Sequence, residues 1–327
     1  MRIFLNDVRN ERQLKSLVGL SREEFDKLLE VFSGCLEETK NNKYRKNRKN
    51  RKRRPGGGRT GSLGTPENKL FFILYYLKNY PTFDVLGFIF DMNPSKAHEN
   101  VKKLTPILRR AQRRLQILPK QHFKNADEFH QVVENTKNIA IDVTEREHFR
   151  HQNNKQQKQH FSGKKRRHTV KNTVIADCSR EGILFVGKTT PGSCHDYTLF
   201  KQEFDPHEDW FKSVTAAVDL GYQGIKKDYL SSKNILIPHK KPRKSKCNPT
   251  PFLTTKEKRE NKLISRIRVA VEHAIGGMKI FHILTIKFRN RLKNFSNEAI
   301  LLSAGLWNLK KSFVVQYLPY AHFYTMN

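Results

Sequence analysis

The chain has 327 residues, a length that suits one large domain or two ordinary ones. Lys and Arg number 63 against 31 Asp and Glu, giving a formal net charge of +32. So large an excess repels itself in a compact state unless a polyanion offsets it. Nucleic acid is the usual partner, and an anionic membrane surface is the alternative. The longest apolar run, 70–77, is too short to span a bilayer, so we expect no membrane partner.

The N-terminus lacks the apolar core and small-residue cleavage site of a signal peptide. The four cysteines are scattered with no Cys-x-x-Cys pair, and neither a disulfide framework nor a zinc knuckle is predicted. A reducing compartment is therefore expected: the cytoplasm or nucleoid of a bacterium, or the nucleus of a eukaryote.

Residues 13–38 are predicted to be helical, because Ser21 and Glu24 have the spacing of a capping box and apolar residues follow at helical intervals. The next segment, 40–59, contains eleven Lys or Arg, no acid and a Pro-Gly-Gly-Gly sequence. Such a segment cannot bury itself and is expected to stay disordered until it meets phosphate. We interpret it as an arm that lies along DNA, or alternatively as a solubilising or localisation segment.

Residues 66–118 are predicted to be all-helical, with helices that begin near Pro66, Thr82 and Pro94. Two short helices, a tight turn and a third helix are the outline of a helix-turn-helix, although Asp91 stands where a turn glycine is often found. Near the start of the third helix, the side chains expected closest to DNA bases are Ser95, Lys96, His98 and Glu99. A three-helix packing module without DNA contact is the alternative.

From about residue 136 the pattern changes to a mixed α/β domain. Strands are predicted at 138–142, 168–177, 183–187, 215–219 and 234–238, and helices at 196–204, 258–279 and 297–313. The expected organisation is an N-terminal helix and basic arm at 1–60, a helix-turn-helix domain at 61–125 and an α/β domain at 126–327.

Two acids, Asp142 and Asp219, each follow a strand too apolar to be exposed. Buried strands bring their ends to a shared edge of the sheet, and two carboxylates there repel each other unless a divalent cation or a proton joins them. Oxygen ligands suit Mg²⁺ or Mn²⁺. Glu272, on a predicted helix, would complete a three-acid site. The alternatives are a helix cap for Asp219 and an ion pair between Glu272 and Arg268.

Five segments in matching order resemble the DDE endonucleases of insertion-sequence-five-type and PIF/Harbinger-type transposases. They are Asp142-Val-Thr-Glu, Phe161-Ser-Gly-Lys-Lys-Arg-Arg-His-Thr-Val-Lys, Pro191-Gly-Ser-Cys-His-Asp, Ala217-Val-Asp-Leu-Gly-Tyr and the stretch from Asn261 to Glu272. The resemblance covers roughly residues 136–290, and the helical part before it is similar to that family's helix-turn-helix.

The resemblance implies a ribonuclease-H-like fold with Asp142, Asp219 and Glu272 as the catalytic triad that binds two Mg²⁺ or Mn²⁺ ions. It also implies a transposase that acts as a homo-oligomer on double-stranded DNA, cleaving phosphodiester bonds at transposon ends and transferring the strand to target DNA. The remaining alternatives are a domesticated DNA-binding protein, a simple nuclease without strand transfer, and a basic structural protein of a ribonucleoprotein.

Further residues are assigned secondary roles. The side chains predicted to grip DNA phosphates are Lys164, Lys165, Arg166 and Arg167, with Lys171, Arg268 and Lys279 as weaker candidates; the four in a row could instead be a solvated hairpin loop. His195 and Asp196 form a regular motif of the family, and we expect a DNA or structural contact for His195 and an N-cap for Asp196. A tyrosine in the signature of related transposases is replaced by Ser265.

Overall fold

The structure is a computed structural model, and it describes residues 3–46, 61–245, 248–312 and 314–315. The chain forms two compact units. A helical unit comprises 1–118, 278–286 and 290–314, and an α/β unit comprises 119–277, 287–289 and 315–327. No helix within these described ranges is long and apolar enough to cross a membrane.

The helical unit begins with α1 (Glu11–Val18) and α2 (Arg22–Lys46). The predicted capping box is confirmed: the backbone N–H of Ser21 donates to Glu24 at 2.7 Å, and the backbone N–H of Glu24 donates to the Ser21 hydroxyl at 3.2 Å. The single helical stretch predicted at 13–38 is two helices, because Gly19 ends α1 in the left-handed conformation at φ 82°.

The basic segment predicted to be disordered begins inside a helix, since α2 continues to Lys46. Residues 40–46 are therefore helical, a structure that their composition did not indicate. Residues 47–60, the rest of the predicted arm, lie outside the described residues, and the arm's contact with DNA stays a prediction.

Three helices follow, α3 (Pro66–Asn79), α4 (Phe83–Ile89) and α5 (Pro94–Arg114), and they confirm the predicted order and starting points. Asp91 takes the left-handed conformation at φ 51° in the turn before α5, the backbone role that a glycine often has there. Gly87 is required by a close approach, because a Cβ at that position would lie 2.5 Å from the carbonyl oxygen of Met92.

The α/β unit is built on a curled sheet. Its strands are β1 (Asn138–Glu147), β2 (Phe161–Ser162), β3 (Arg167–Asp177), β4 (Ile183–Val186), β5 (Thr190–Pro191), β6 (Thr215–Ala217) and β7 (Ile235–Leu236). The hydrogen-bonded order is β2-β3-β1-β6-β7, with β4 and β5 also paired to β3. β3 is antiparallel to β1 and β4, whereas β1, β6 and β7 are mutually parallel. The helices of this unit are α6 (Ala126–Val133), α7 (Asn154–His160), α8 (Asp196–Glu203), α9 (Ile225–Asp228) and α10 (Thr255–Met278).

The first strand is longer than predicted. β1 was expected to end at Asp142 but continues to Glu147. Beyond Asp142 it alternates half-buried and buried residues, and Arg146 is among the buried ones, where its guanidinium donates to the Asn172 side chain at 2.8 Å. Asp142 therefore lies inside a strand and not at the end of one.

The last described helix, α11 (Phe295–Lys310), belongs to the helical unit. It is apolar on nearly all sides, and twelve of its residues are buried, as a helix enclosed by other helices should be. From the sequence this helix was expected in the 126–327 domain, because nothing in a uniformly apolar helix indicates its partner. The domain boundaries themselves stay a prediction.

Candidate active site

Asp142 is half-buried in the middle of β1, where its register partner on β3 is Val174. Its Oδ1 accepts a hydrogen bond from the backbone N–H of Val143 at 2.8 Å. On the other side of β1, the parallel pairing with β6 runs as far as Ala140 and Ala217.

Asp219 follows β6, two residues beyond Ala217, as Asp142 stands two residues beyond Ala140. Because neighbouring strands lie about 4.8 Å apart, the two acids occupy adjacent backbones at the same level of the sheet. Asp219 makes no side-chain cap hydrogen bond to the short 3₁₀ helix at Leu220–Tyr222. The capping alternative for Asp219 therefore has no support in the geometry.

Glu272 lies on α10, and Arg268 one turn earlier connects it to Asp219. The guanidinium of Arg268 is 3.1 Å from a carboxylate oxygen of Asp219 and 3.8 Å from one of Glu272. Arg268 is only 16% exposed, whereas the two acid side chains are 48% and 55% exposed. The ion pair considered as the alternative for Glu272 is thus present, and it includes Asp219.

The three acids influence one another electrostatically. Burial raises the pKa of Asp142, the Val143 N–H and Arg268 lower that pKa, and repulsion from Asp219 and Glu272 raises it further. The Arg268 guanidinium therefore lies between two of the three predicted acids, and both of those acids act electrostatically on Asp142. The carboxylates of Asp219 and Glu272 already bind one cationic group, the Arg268 guanidinium. Carboxylate oxygens are also the ligands that divalent Mg²⁺ and Mn²⁺ prefer.

Tyr222 is buried beside these acids. Burial raises the pKa of its hydroxyl well above the usual range, and the carboxylates of Asp142, Asp196, Glu203 and Asp219 act in the same direction. Within the described residues this hydroxyl has no hydrogen-bond partner. Sequence reasoning did not assign it a role, although it ends the Ala217–Tyr222 segment that carried the resemblance.

The basic run at Lys164, Lys165, Arg166 and Arg167 forms the tip of the β2–β3 hairpin. All four side chains are exposed, and Arg166 holds the turn in the left-handed conformation at φ 52°. Arg167 pairs with Glu147 at 3.0 Å. The geometry accordingly presents the other three as cations on an exposed turn.

Lys171 has less freedom than those residues. It is 13% exposed, and its ammonium group donates to Asp196 at 2.8 Å and to the carbonyl oxygen of Cys194 at 2.9 Å. The N-cap predicted for Asp196 is wrong: His195 is the N-cap of α8, accepting from the backbone N–H of Tyr197 at 3.3 Å, and Asp196 is the first helical residue. Asp196 holds Lys171 instead.

The N-terminal turn of α5 is capped by Asn93, which accepts from the backbone N–H of Ser95 at 2.9 Å. Ser95 and Lys96 are exposed, whereas His98 is half-buried and packs edge-on against Phe83 at 5.0 Å. Glu99 forms ion pairs with Lys96 and Lys103. Of the side chains predicted to face DNA bases, Ser95 and Lys96 are therefore the exposed ones.

Two other predicted positions are on or near α10. Ser265, at the position of the family's tyrosine, is exposed two turns before Glu272. Lys279 follows the last residue of α10 and belongs to the helical unit. Their roles toward DNA stay predictions.

A second cluster was missed by sequence reasoning. His148, His151 and His160 present ring nitrogens that all lie within 4.8 Å of one another. Among the described residues, the oxygens of the three predicted acids do not come that close together. Burial, together with the neighbouring His160 and His151, lowers the pKa of His148 to about 4. The signal in the sequence was the close spacing of histidines: three of the chain's 13 fall within residues 148–160.

Comparisons with known proteins agree with this architecture. Residues 141–308 match the family model described as "DDE superfamily endonuclease", and residues 61–111 match the model described as "Helix-turn-helix of DDE superfamily endonuclease". The chain is 28% identical over 297 residues to a "Probable transposase for insertion sequence element IS702" of Microchaete diplosiphon, an alignment that covers 91% of this chain and 94% of that protein. No solved structure matches.

Proposed function

Because the chain belongs to the DDE superfamily of endonucleases, with a helix-turn-helix before a ribonuclease-H-like domain, we propose that it is a transposase. In this proposal it binds double-stranded DNA at the ends of a mobile element, cleaves phosphodiester bonds there and joins the freed strand to target DNA. The observation that carries the proposal is the parallel register of β1 and β6, which aligns Asp142 with Asp219 while Arg268 links Asp219 to Glu272. The transposase relative supports the same activity.

The acids fit a divalent cation. Asp142, Asp219 and Glu272 would hold two Mg²⁺ or Mn²⁺ ions, because the three carboxylates supply the oxygen ligands that these ions require. When bound, such ions supply Lewis-acid stabilisation for the in-line attack of a water or a DNA 3′ hydroxyl on a phosphodiester.

The chain's own residues prepare this site. Arg268 orients the carboxylates of Asp219 and Glu272 and counteracts the effect of burial on the Asp142 pKa. Tyr222 is buried beside the acids. These contacts limit the reorganisation of the acids when substrate arrives, as electrostatic preorganisation requires.

DNA is gripped in this proposal at two places. The exposed cations of the β2–β3 turn contact backbone phosphates, which give affinity without sequence preference. The start of α5 reads base edges in the major groove, as the second helix of a helix-turn-helix does. Since two element ends must be brought together, the protein acts as a homo-oligomer on DNA.

The test uses the purified full chain, labelled DNA that carries the element's ends, and unlabelled target DNA, with and without Mg²⁺. We expect Mg²⁺-dependent nicks at the element boundary and labelled joined products. Cleavage without joined products would identify a simple nuclease. Binding with no cleavage in either Mg²⁺ or Mn²⁺ would overturn the enzymatic proposal and leave a DNA-binding protein.

A further inference from the structure

The three histidines at the end of β1 lie apart from the acids. His148 is six residues beyond Asp142, and because a strand rises about 3.3 Å per residue, the two Cα atoms are separated by about 20 Å. The cluster therefore does not belong to the acid site, and a role for it is independent of the proposed transposase activity.

His148 is held firmly but leaves one ring nitrogen unused. It is 7% exposed, its ring stacks on Phe288 at 5.5 Å, and its backbone N–H donates to the carbonyl oxygen of His168 at 2.8 Å. Among the described residues, its Nδ1 is buried and has no hydrogen-bond partner. A buried ring nitrogen without a partner is costly unless something binds to it.

His160 is oriented by its own helix. Its Nδ1 lies 2.9 Å from the carbonyl oxygen of Gln156, and because a carbonyl can only accept, Nδ1 must carry the proton. The neutral ring then keeps its lone pair on Nε2. This is the arrangement by which a second contact fixes the tautomer of a metal-binding histidine.

The segment that carries two of the histidines is joined to the loop before α8 by a hydrogen bond from the Ser193 N–H to the Gln159 carbonyl oxygen, but its helix has no buried face. α7, which ends at His160, has seven residues and none of them is buried. Helices of that length are not stable by themselves and normally depend on packing of an apolar face. A link from His151 and His160 to the end of β1 would supply the stabilisation that α7 does not obtain from apolar packing.

From this geometry we propose that His148, His151 and His160 form a binding site for a transition-metal ion, Zn²⁺ being the ion it suits best, which clamps residues 149–160 to the end of β1. Three imidazoles and one open position are a common zinc coordination. Imidazole ligands favour Zn²⁺ over Mg²⁺ or Ca²⁺, which require oxygen ligands. With bonds of about 2.1 Å in a tetrahedral site, the nitrogens would stand about 3.4 Å apart, so the present spacing needs only a modest closing of the rings.

The clamp also has a consequence for the basic turn. His160 directly precedes β2, and β2 pairs with β3 to form the hairpin whose tip carries Lys164, Lys165 and Arg166. An ion bound at the cluster would hold the start of β2, and so one strand of that hairpin, in place. In this proposal the bound ion therefore restricts the motion of a DNA-facing turn.

The experiment titrates Zn²⁺ into the metal-stripped full chain in an excess of Mg²⁺, which competes for carboxylate sites, and follows binding by calorimetry. Co²⁺ serves as a spectroscopic probe, since a tetrahedral site gives visible absorption bands. We expect one site per chain. His151→Gln and His160→Gln, both at half-buried positions, should each weaken binding by at least about tenfold.

The matched control is His207→Gln, an exposed histidine of the same unit, which should bind Zn²⁺ like the unaltered chain. Zn²⁺ should also slow tryptic cleavage at Lys155 and Lys158, exposed residues of α7, in the unaltered chain but not in the two cluster variants. Absence of Zn²⁺ binding, or binding that both cluster variants retain in full, would overturn the proposal and leave the histidines as a stack of packed rings.

Discussion

At the level of single residues, the three acids differ in how much protein surrounds them. Asp142 is enclosed by the sheet, whereas Asp219 and Glu272 are about half exposed. We predict that Asp142→Asn, Asp219→Asn and Glu272→Gln each abolish metal-dependent cleavage and leave DNA binding intact. Each substitution removes a charge and keeps the shape of the side chain, so the remaining pair would hold cations poorly.

The measurement is cleavage of labelled element-end DNA, with affinity for the same DNA measured in parallel. Asp196→Asn is the matched control, because Asp196 pairs with Lys171 and not with Arg268, and it should keep cleavage. Normal cleavage by any of the three triad variants would remove that residue from the site.

Glu203 gives a second prediction at this scale. Burial raises its pKa from 4.5 to about 7. Its Oε1 lies against Gly187, where an added Cβ would come within 1.9 Å of it. The native state then keeps a proton that the unfolded chain releases above pH 4.5. The stability contributed by this protonated carboxyl is complete below that pH and is lost as the pH rises through about 7.

At about 1.4 kcal/mol per pKa unit, the free energy of unfolding falls by about 3 kcal/mol across this pH range. Glu203→Gln cannot ionise and should lack this part of the pH dependence. Urea unfolding of both proteins at pH values on either side of the window tests the prediction, because groups that titrate in both proteins cancel in the comparison. Parallel pH profiles for the two proteins would contradict it.

At the scale of elements, the β2–β3 turn is where affinity for DNA is expected to reside. Replacing Lys164, Lys165 and Arg166 by Gln should weaken binding to any DNA. Each lost phosphate contact lowers the slope of log K against log salt by about 0.9, so three contacts correspond to a change of about 2.7. Titrations at several salt concentrations measure that slope.

A triple Gln substitution at Lys226, Lys227 and Lys233 is the control, since these are exposed lysines of the same unit but lie near the β7 edge of the sheet. It removes the same formal charge and should change the slope little. An equal change in both triple variants would mean that net charge, and not the turn, sets the affinity.

The elements that local chemistry determines were predictable from the sequence. Ser21 with Glu24, and the prolines at 66 and 94, marked helix starts correctly, because capping and the fixed φ of proline act within one turn. The β3–β4 hairpin was predicted for the same reason: apolar alternation and a short polar turn adjoin in sequence.

Features that depend on distant partners were not predictable. The continuation of β1 past Asp142 depends on pairing with β3, and it buries Arg146, a residue that sequence patterns assign to the surface. The histidine cluster forms only because α7 returns its last residue to the end of β1. The three acids were predicted because each adjoins an apolar segment or carries a family motif. The bridging of Asp219 and Glu272 by one guanidinium depends on tertiary structure and could not be predicted.

At the scale of the whole molecule, the helical unit is assembled from both ends of the chain. α11 makes polar as well as apolar contacts with α5 and the residues after it. The Gln112 amide donates to the Leu302 carbonyl oxygen at 3.0 Å, the Asn308 amide donates to the Ile117 carbonyl oxygen at 2.9 Å, and Arg109 pairs with Glu298 at 2.6 Å. Without α11, the buried amide of Gln112 and the carbonyl of Ile117 would lose their partners.

We therefore predict that residues 1–118, expressed alone, form an incompletely folded fragment despite containing every helix of the helix-turn-helix. Circular dichroism should show reduced helix content and a broad thermal transition, and a hydrophobic dye should bind the apolar surface that α11 covers. Adding a peptide of residues 290–314 should restore helix content and sharpen the transition. The same peptide with Gly305→Ala is the control and should restore less, because a Cβ at 305 would lie 2.4 Å from Oε1 of the buried Gln112. A fragment of 1–118 that unfolds cooperatively and binds no dye without the peptide would show that α11 is dispensable for this unit.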